Sequence, residues 1–211
     1  MAAGELVLAM TGASGAPYAV RLLEVLLRAG RVVHLTISPA ATEVVEQELG
    51  RRIRLDAFVL DDLIGQNTST FSGKLQYHHY RDYHSSIASG SHLTAGMVVC
   101  PCSMGTLAAI AQGISQNLIH RAADVHLKER RRLILVPRET PLSPIHLRNM
   151  TLLAETGATI LAAMPAFYTK PKSLADVVDF IVGRICDQFG VQHGLFQRWG
   201  EELPSDSTAR E

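Results

Sequence analysis

Cysteine is scarce in this chain of 211 residues and forms no pattern: Cys100, Cys102 and Cys186 are odd in number and contain no C-x-x-C pair. That excludes a disulfide framework or a cysteine zinc site and predicts a reducing compartment. An excess of one charge is also missing. Lys+Arg and Asp+Glu stand at 20 each, so neither nucleic acid nor an anionic lipid surface is an expected partner. No apolar run reaches the roughly 20 residues of a membrane span, and no basic stretch followed by an apolar core marks a signal peptide. These absences predict a cytoplasmic protein. The nucleotide fingerprints G-x-G-x-x-G and G-x-x-x-x-G-K-[ST] are absent as well. Asp61-Asp62 is followed by Leu-Ile-Gly without further acids and reads as a solvated helix face, not a magnesium site. His120 and His126 lack metal-ligand spacing and His78-His79 falls in an irregular segment, so no metal is expected.

What is present is apolar. Hydrophobic residues make up 47% of the chain, which suits a sheet covered on both faces. The length suits a single domain over 1–211 with a polar, flexible tail from about 201. Leu6, Val7, Leu8, Ala9 and Met10 form the short unbroken run of a buried central strand. It breaks at Thr11-Gly12-Ala13-Ser14-Gly15, and Pro17 then starts a helical pattern through Val20, Leu23 and Leu27. Glycine lets backbone N–H groups approach an anion, and a helix start adds partial positive charge. A phosphate cradle and a plain tight turn both satisfy this stretch on its own.

The alternation continues along the chain. Arg31–Ile37 reads as a strand, followed by a helix with Ser38 as N-cap. Residues 51–91 are irregular, with a short helix over Leu55–Leu63, a polar loop over Asn67–Gly73 and an extended piece at Leu75–Tyr80. Met97–Cys100 is a buried strand ended by Pro101, and Cys102-Ser103-Met104-Gly105-Thr106 opens a helix. Leu118–Arg130 is helical, Arg132–Val136 a strand, Ser143-Pro144 a capped helix start, Thr159–Ala163 a strand and Leu174–Phe189 a long amphipathic helix. The pattern predicts an α/β fold, an open parallel sheet with helices on both faces, Rossmann-like. Ligands bind at the carboxyl ends of such strands. There the chain puts Gly12-Ala13-Ser14, Ser38, Cys102-Ser103, Arg138-Glu139 and Phe167-Tyr168. Their convergence on one rim favours a cofactor cradle over a plain turn.

These residues fall in blocks that resemble the UbiX-type flavin prenyltransferases, within the wider FMN-binding family that includes peptidyl-cysteine decarboxylases. The blocks are Thr11–Gly15, Cys100–Leu107, Asn117–Val125, Leu127–Arg131, Leu135–Pro141, Ile145–Met150 and Pro165–Tyr168, in order between Leu6 and Trp199. Residues 51–91 are poorly covered. The resemblance implies that FMN is held by Gly12, Ala13, Ser14, Ser38, Ser103, Met104, Gly105, Thr106 and Arg138. It implies that Tyr168 and Arg184 hold the phosphate of dimethylallyl phosphate, helped by Arg121 and Lys128 from a neighbouring subunit. Ser14, Glu48 and Glu139 are the implied catalytic set. Position 184 is often Lys in the family; Arg keeps the charge and adds a bidentate fork. Some members carry a Trp shortly before an Ala-Ser-Gly-Ser block, here Ala88–Ser91, where this chain has Tyr83. The family assembles as dodecamers with active sites between subunits.

The implied reaction joins the dimethylallyl group to N5 and C6 of reduced FMN without a metal. Its product, prenylated FMN, serves a partner UbiD-type decarboxylase. Breaking the allylic C–O bond puts negative charge on phosphate, which Arg138, Arg184, Lys128 and Tyr168 are suited to meet, and Glu139 in its acid form protonates the leaving phosphate. Two other readings stay open. One is an FMN-dependent oxidative decarboxylase of the peptidyl-cysteine type, whose P-x-M-N-x-x-M-W block has only Pro165–Lys170 as a counterpart. The other is a non-catalytic flavin carrier, which needs the cradle but not the cations around it. The subunit interface is expected on the apolar helices around Leu107–Leu118.

Overall fold

The computed structural model describes residues 4–200. Leu6–Met10 forms β1, buried at every residue as its unbroken apolar run requires. The sheet around it is parallel throughout. β2 (Val32–Ile37) and the edge strand β3 (Lys74–Tyr77) lie on one side, and β4 (Gly96–Cys102), β5 (Leu133–Pro137) and the short β6 (Thr159–Ile160) on the other. The order is β3-β2-β1-β4-β5-β6, so the winding reverses between β1 and β4. Their carboxyl ends therefore flank a crevice of the kind in which doubly wound sheets bind ligands.

Alternate residues of β1 enter two cores, one on each face of the sheet. Leu6, Leu8 and Met10 pack under α1 (Ala16–Arg28) and α7 (Leu174–Phe189), while Val7 and Ala9 pack under α4 (Met104–Ala111) and α5 (Leu118–Lys128). The remaining helices are α2 (Pro39–Leu49), α3 (Leu60–Ile64) and α6 (Pro144–Glu155). Ser38, Ser103, Asn117, Ser143 and Ser173 each accept a hydrogen bond from the N–H three residues on, which fixes where their helices begin.

Several elements differ from the sequence reading. Pro101 does not end its strand: β4 runs on to Cys102, and the register with β5 shifts between Val99 and Cys102. A residue without an N–H is tolerated at such an irregularity. The helix expected over Leu55–Leu63 breaks into a 3-10 turn at Leu55–Ala57 and then α3. Thr159–Ala163 pairs only through Thr159 and Ile160, and α5 stops at Lys128. Around Leu107–Leu118, Leu107, Ile110 and Leu118 are buried, while Ile114 is exposed. Other exposed apolar side chains include Ile145 on α6, Met164 and Phe167 before α7, and Leu174 at its start. The polar tail from Glu201 lies outside the described residues. Among the described residues, no helix is long and apolar enough to cross a membrane.

Candidate active site

Thr11 ties the two strand ends at the crevice together. Its hydroxyl donates to the carbonyl of Pro101 at 2.8 Å and accepts from the N–H of Ser103 at 2.8 Å, and its own N–H reaches Pro101 at 3.2 Å. The turn after β1 and the start of α4 are thus one bonded unit. The sequence reading passed over Thr11; its signal was a hydroxyl residue directly behind a fully apolar strand. Gly12 sits where a Cβ would come 2.5 Å from the Cβ of Ala40, so α2 can approach the turn only over a glycine. Ala13 buries its methyl and gives its N–H to the Thr11 carbonyl at 2.9 Å, leaving Gly12 and Ser14 exposed on the rim.

The other rim positions join the same unit. Ser38 donates its N–H to Met10 at 3.0 Å while its hydroxyl caps α2. Arg138, from the end of β5, reaches back to the carbonyl of Ser14 at 3.2 Å. Glu139 follows it, exposed, with its carboxylate on the N–H of Thr140 at 3.0 Å. At the α4 start, the Ser103 hydroxyl accepts from Thr106 N–H at 3.2 Å and donates to the Thr106 hydroxyl at 3.1 Å. That cap leaves the first-turn N–H groups of Met104 and Gly105 without an intrahelical acceptor. The Met104 side chain is buried in the core, so only its backbone is available to a ligand. Gly105 has open space where a Cβ would stand.

Glu48 corrects one expectation. Its carboxylate accepts from the N–H of Gly15 at 3.0 Å and from that of Ala16 at 2.8 Å. The protein's own anion thereby fills the start of α1 that the sequence offered to a phosphate. Beside it a groove of about 900 Å³ opens between α1, α2, α3 and α7, sharing Ser14, Gly15 and Glu48 with the rim. Burial pushes the Tyr18 phenol in that groove above its ordinary pKa, with Cys100 and Glu48 adding to the shift. Cys100 and Cys102, behind the rim, are fully buried, and the loss of solvation raises both thiols far above the usual range, so they are inert packing groups.

The expected phosphate-holding residues form a separate group within one chain. Arg121 binds the carbonyl of Ala88 at 3.0 Å and pairs with Asp124 at 2.8 Å. Lys128 pairs with Glu129 in the last turn of α5, and both lie against Gly90. These two cations therefore meet the Ala88–Ser91 block and not Ser14 or Arg138. Tyr83 donates its hydroxyl to the carbonyl of Ser115 at 3.4 Å. Tyr168 stands edge-on to Phe180 and Trp199, at 6.0 and 5.1 Å between ring centroids. Arg184 lies ten residues into α7, roughly 15 Å from the helix start, and pairs with Asp187 at 3.2 Å.

The Flavoprotein family matches residues 2–186. A flavin prenyltransferase UbiX of Halalkalibacterium halodurans is 49% identical, over 94% of this chain and 94% of its own. A solved structure of AnUbiX (PadA1) in complex with FMN and dimethylallyl pyrophosphate is 41% identical and superposes with a TM-score of 0.82, covering 95% of this chain and 99% of that one. A dodecameric FMN-dependent UbiX-like decarboxylase from Escherichia coli O157:H7 is also 41% identical, with a TM-score of 0.82 over 93% of this chain and 100% of that one.

Proposed function

The chain belongs to the Flavoprotein family, in its UbiX-type flavin prenyltransferase branch, and we propose that it transfers the dimethylallyl group of dimethylallyl phosphate to N5 and C6 of reduced FMN. One observation carries the assignment of the site: Thr11 and Arg138 bind the turn after β1 to the ends of β4 and β5, making one rim at the reversal of the sheet. FMN fits that rim. The unpaired first-turn N–H groups of α4 and the space over Gly105 suit an anionic or planar group, and the Ser14 hydroxyl is exposed beside them. Gly12, Ala13, Ser14, Ser38, Ser103, Met104, Gly105, Thr106 and Arg138 are its proposed holders, Met104 and Ala13 through backbone alone.

Reduced FMN supplies the nucleophilic nitrogen and carbon that accept the five-carbon unit. The chain's part is to hold the allyl phosphate in line and to stabilise the departing phosphate. Arg138 places its guanidinium beside Ser14, so positive charge faces the leaving oxygens, and Ser14 Oγ donates to them. Glu139, in its acid form, gives its proton to a phosphate oxygen. Glu48 holds the turn in place from below. Tyr168 and Arg184 complete the phosphate pocket, helped by Arg121 and Lys128 from a neighbouring subunit of a dodecamer. The separation of Arg121 and Lys128 from Arg138 within one chain supports this division. We further propose one flavin-binding unit over 1–211, a cytoplasmic location suited to three buried free cysteines, and delivery of the product to a UbiD-type decarboxylase.

The experiment is an anaerobic incubation of the protein with chemically reduced FMN, chelator, and either dimethylallyl phosphate or the diphosphate. A flavin heavier by one C5 unit, formed only with reduced FMN, supports the reading. No mass increase with either donor, while a known flavin prenyltransferase succeeds alongside, overturns it.

A further inference from the structure

Away from the rim, three titratable side chains from separate parts of the chain meet at one point. Glu5 precedes β1, His34 lies within β2 and His92 precedes β4. The Oε2 atom of Glu5 is 2.7 Å from His34 Nε2 and 3.0 Å from His92 Nε2, and the two nitrogens are 3.4 Å apart. The His34 side chain is fully buried at 0% exposure, whereas Glu5 and His92 keep 34% and 30%. The point thus lies just below the surface, with a path in. Glu5 and His92 stand before the amino ends of β1 and β4, while Gly12 and Ser103 follow the carboxyl ends of the same strands, so this cluster is no part of the flavin rim.

We propose that Glu5 Oε2, His34 Nε2 and His92 Nε2 bind a divalent transition-metal ion of the zinc class, with a fourth position open to water. Two imidazole nitrogens and one carboxylate oxygen suit zinc and its neighbours, not magnesium or calcium, which take oxygen ligands. A tetrahedral site with bonds of about 2.0–2.1 Å spaces its ligand atoms roughly 3.3 Å apart. The nitrogen pair already has that spacing, and the Glu5 carboxylate has to withdraw by roughly 0.3–0.6 Å.

The far side of His34 is prepared for the same role. Its Nδ1 is 2.8 Å from His78 Nε2, and His78 Nδ1 is 2.8 Å from the Ser85 hydroxyl. The rings of His34 and His78 lie edge to edge and nearly coplanar, with centroids 5.1 Å apart and planes 9° from parallel, as the bond between them requires. When His34 Nδ1–H donates to His78, and His78 Nδ1–H to Ser85, the lone pair at His34 Nε2 is left for the ion. Arg131 Nη1 holds the carbonyl of His92 at 2.6 Å and fixes the segment that carries the third ligand. Without an ion, the two Nε2–H groups can both donate to Glu5 Oε2, a hydrogen-bonded arrangement that the ion would replace. With one, all three lone pairs share a centre, which staples the segment before β4 to β1 and β2.

The test uses untagged full-length protein, stripped with chelator, given excess Zn²⁺ and desalted, with metal content read by mass spectrometry. His34 is left unchanged, since a substitution in a strand interior can unfold the chain. The expected result is about one zinc per chain in the wild type and in His84→Asn, an exposed control, and at least roughly tenfold less in Glu5→Gln and His92→Asn. At zinc about 100-fold above its Kd, the wild-type unfolding midpoint should rise by roughly 5–10 °C. Cobalt(II) in the wild type should give the visible absorption of a tetrahedral site, lost in Glu5→Gln. Substoichiometric zinc in the wild type, or equal zinc in wild type and both ligand variants, overturns the proposal and leaves a hydrogen-bonded chain only.

Discussion

The carboxylate of Glu48 accepts the backbone N–H of Ala16 at 2.8 Å, and so a residue from the end of α2 caps the beginning of α1. The N-cap of that helix, Gly15, has φ +123° and no side chain to do the work itself. A negative charge at a helix start also meets the dipole favourably. Glu48→Gln keeps the shape and removes the charge, Glu48→Ala removes both. The alanine variant should lose about 1 kcal/mol, the ordinary value of a cap, which lowers the unfolding midpoint by about 2–4 °C in a chain of this size. An unchanged midpoint would remove Glu48 as the stabilising cap of α1.

Thr11 is the corresponding tie on the other side of the turn. Thr11→Val keeps the volume but leaves the Pro101 carbonyl one partner short and the Ser103 N–H with none, a cost of about 1–3 kcal/mol. Because Ser103 opens the α4 cradle, FMN should bind roughly tenfold more weakly. Thr11→Ser restores the hydroxyl and should recover most of both losses. Unfolding in urea and quenching of FMN fluorescence measure the two effects separately, and wild-type FMN affinity in the valine variant would detach Thr11 from the site.

These two residues mark the limit of what could be read from the sequence. The strand Leu6–Met10 and the helices capped by Ser38 and Ser143 were legible because burial runs and caps are local signals. The rim at the strand ends followed from alternation alone. Pro101 misled because a proline is a stop signal in isolation; here the Thr11 hydroxyl and N–H take up its carbonyl and carry the strand past it. The edge strand β3 is half exposed, and its apolar pattern is correspondingly faint. Glu48 lies 32 residues from Ala16, and Glu5, His34 and His92 are scattered over three segments. No spacing rule connects them, since the parallel sheet alone brings them together.

The buried His126 makes stability depend on pH. Its Nδ1 contacts the Ala122 carbonyl at 2.7 Å and its Nε2 the Thr94 hydroxyl at 2.8 Å, an arrangement made for the neutral ring. Burial pushes its pKa down from 6.5 to about 4; Arg131 adds to that shift, while the bond to Ala122 opposes it. The unfolded chain therefore binds a proton that the folded chain refuses between these values. The stabilisation is complete above about pH 6.5 and is lost as pH falls towards 4. Burial lowers His78 and His120 in the same sense. From pH 7 to 5 the His126 contribution amounts to about 2 kcal/mol. Urea denaturation at the two pH values should show a fall in the wild type that exceeds the fall in His126→Gln by that amount. Parallel losses in the two proteins would show that His126 titrates normally in the fold.

The division of the proposed phosphate-binding cations between two groups of one chain leads to a test that needs no structure of the assembly. Arg138 lies on the rim at Ser14, while Lys128 lies at the end of α5 beside Gly90. If each active site takes its rim from one subunit and its α5 cations from another, Arg138→Ala and Lys128→Ala disable different halves. Each variant alone should lose most turnover, because a charge-assisted contact is worth about 1.5–3 kcal/mol. When the two variants are co-expressed and assemble at random in a symmetric oligomer, about a quarter of the sites combine two intact halves. Prenyl transfer should then return to about a quarter of the wild-type rate, well above either variant by itself. A site built within one chain gives no such recovery, because every site keeps one damaged half whatever its neighbours carry. Activity in the mixture equal to the mean of the two separate variants would therefore sink the shared-site arrangement while leaving the prenyl-transfer reading intact.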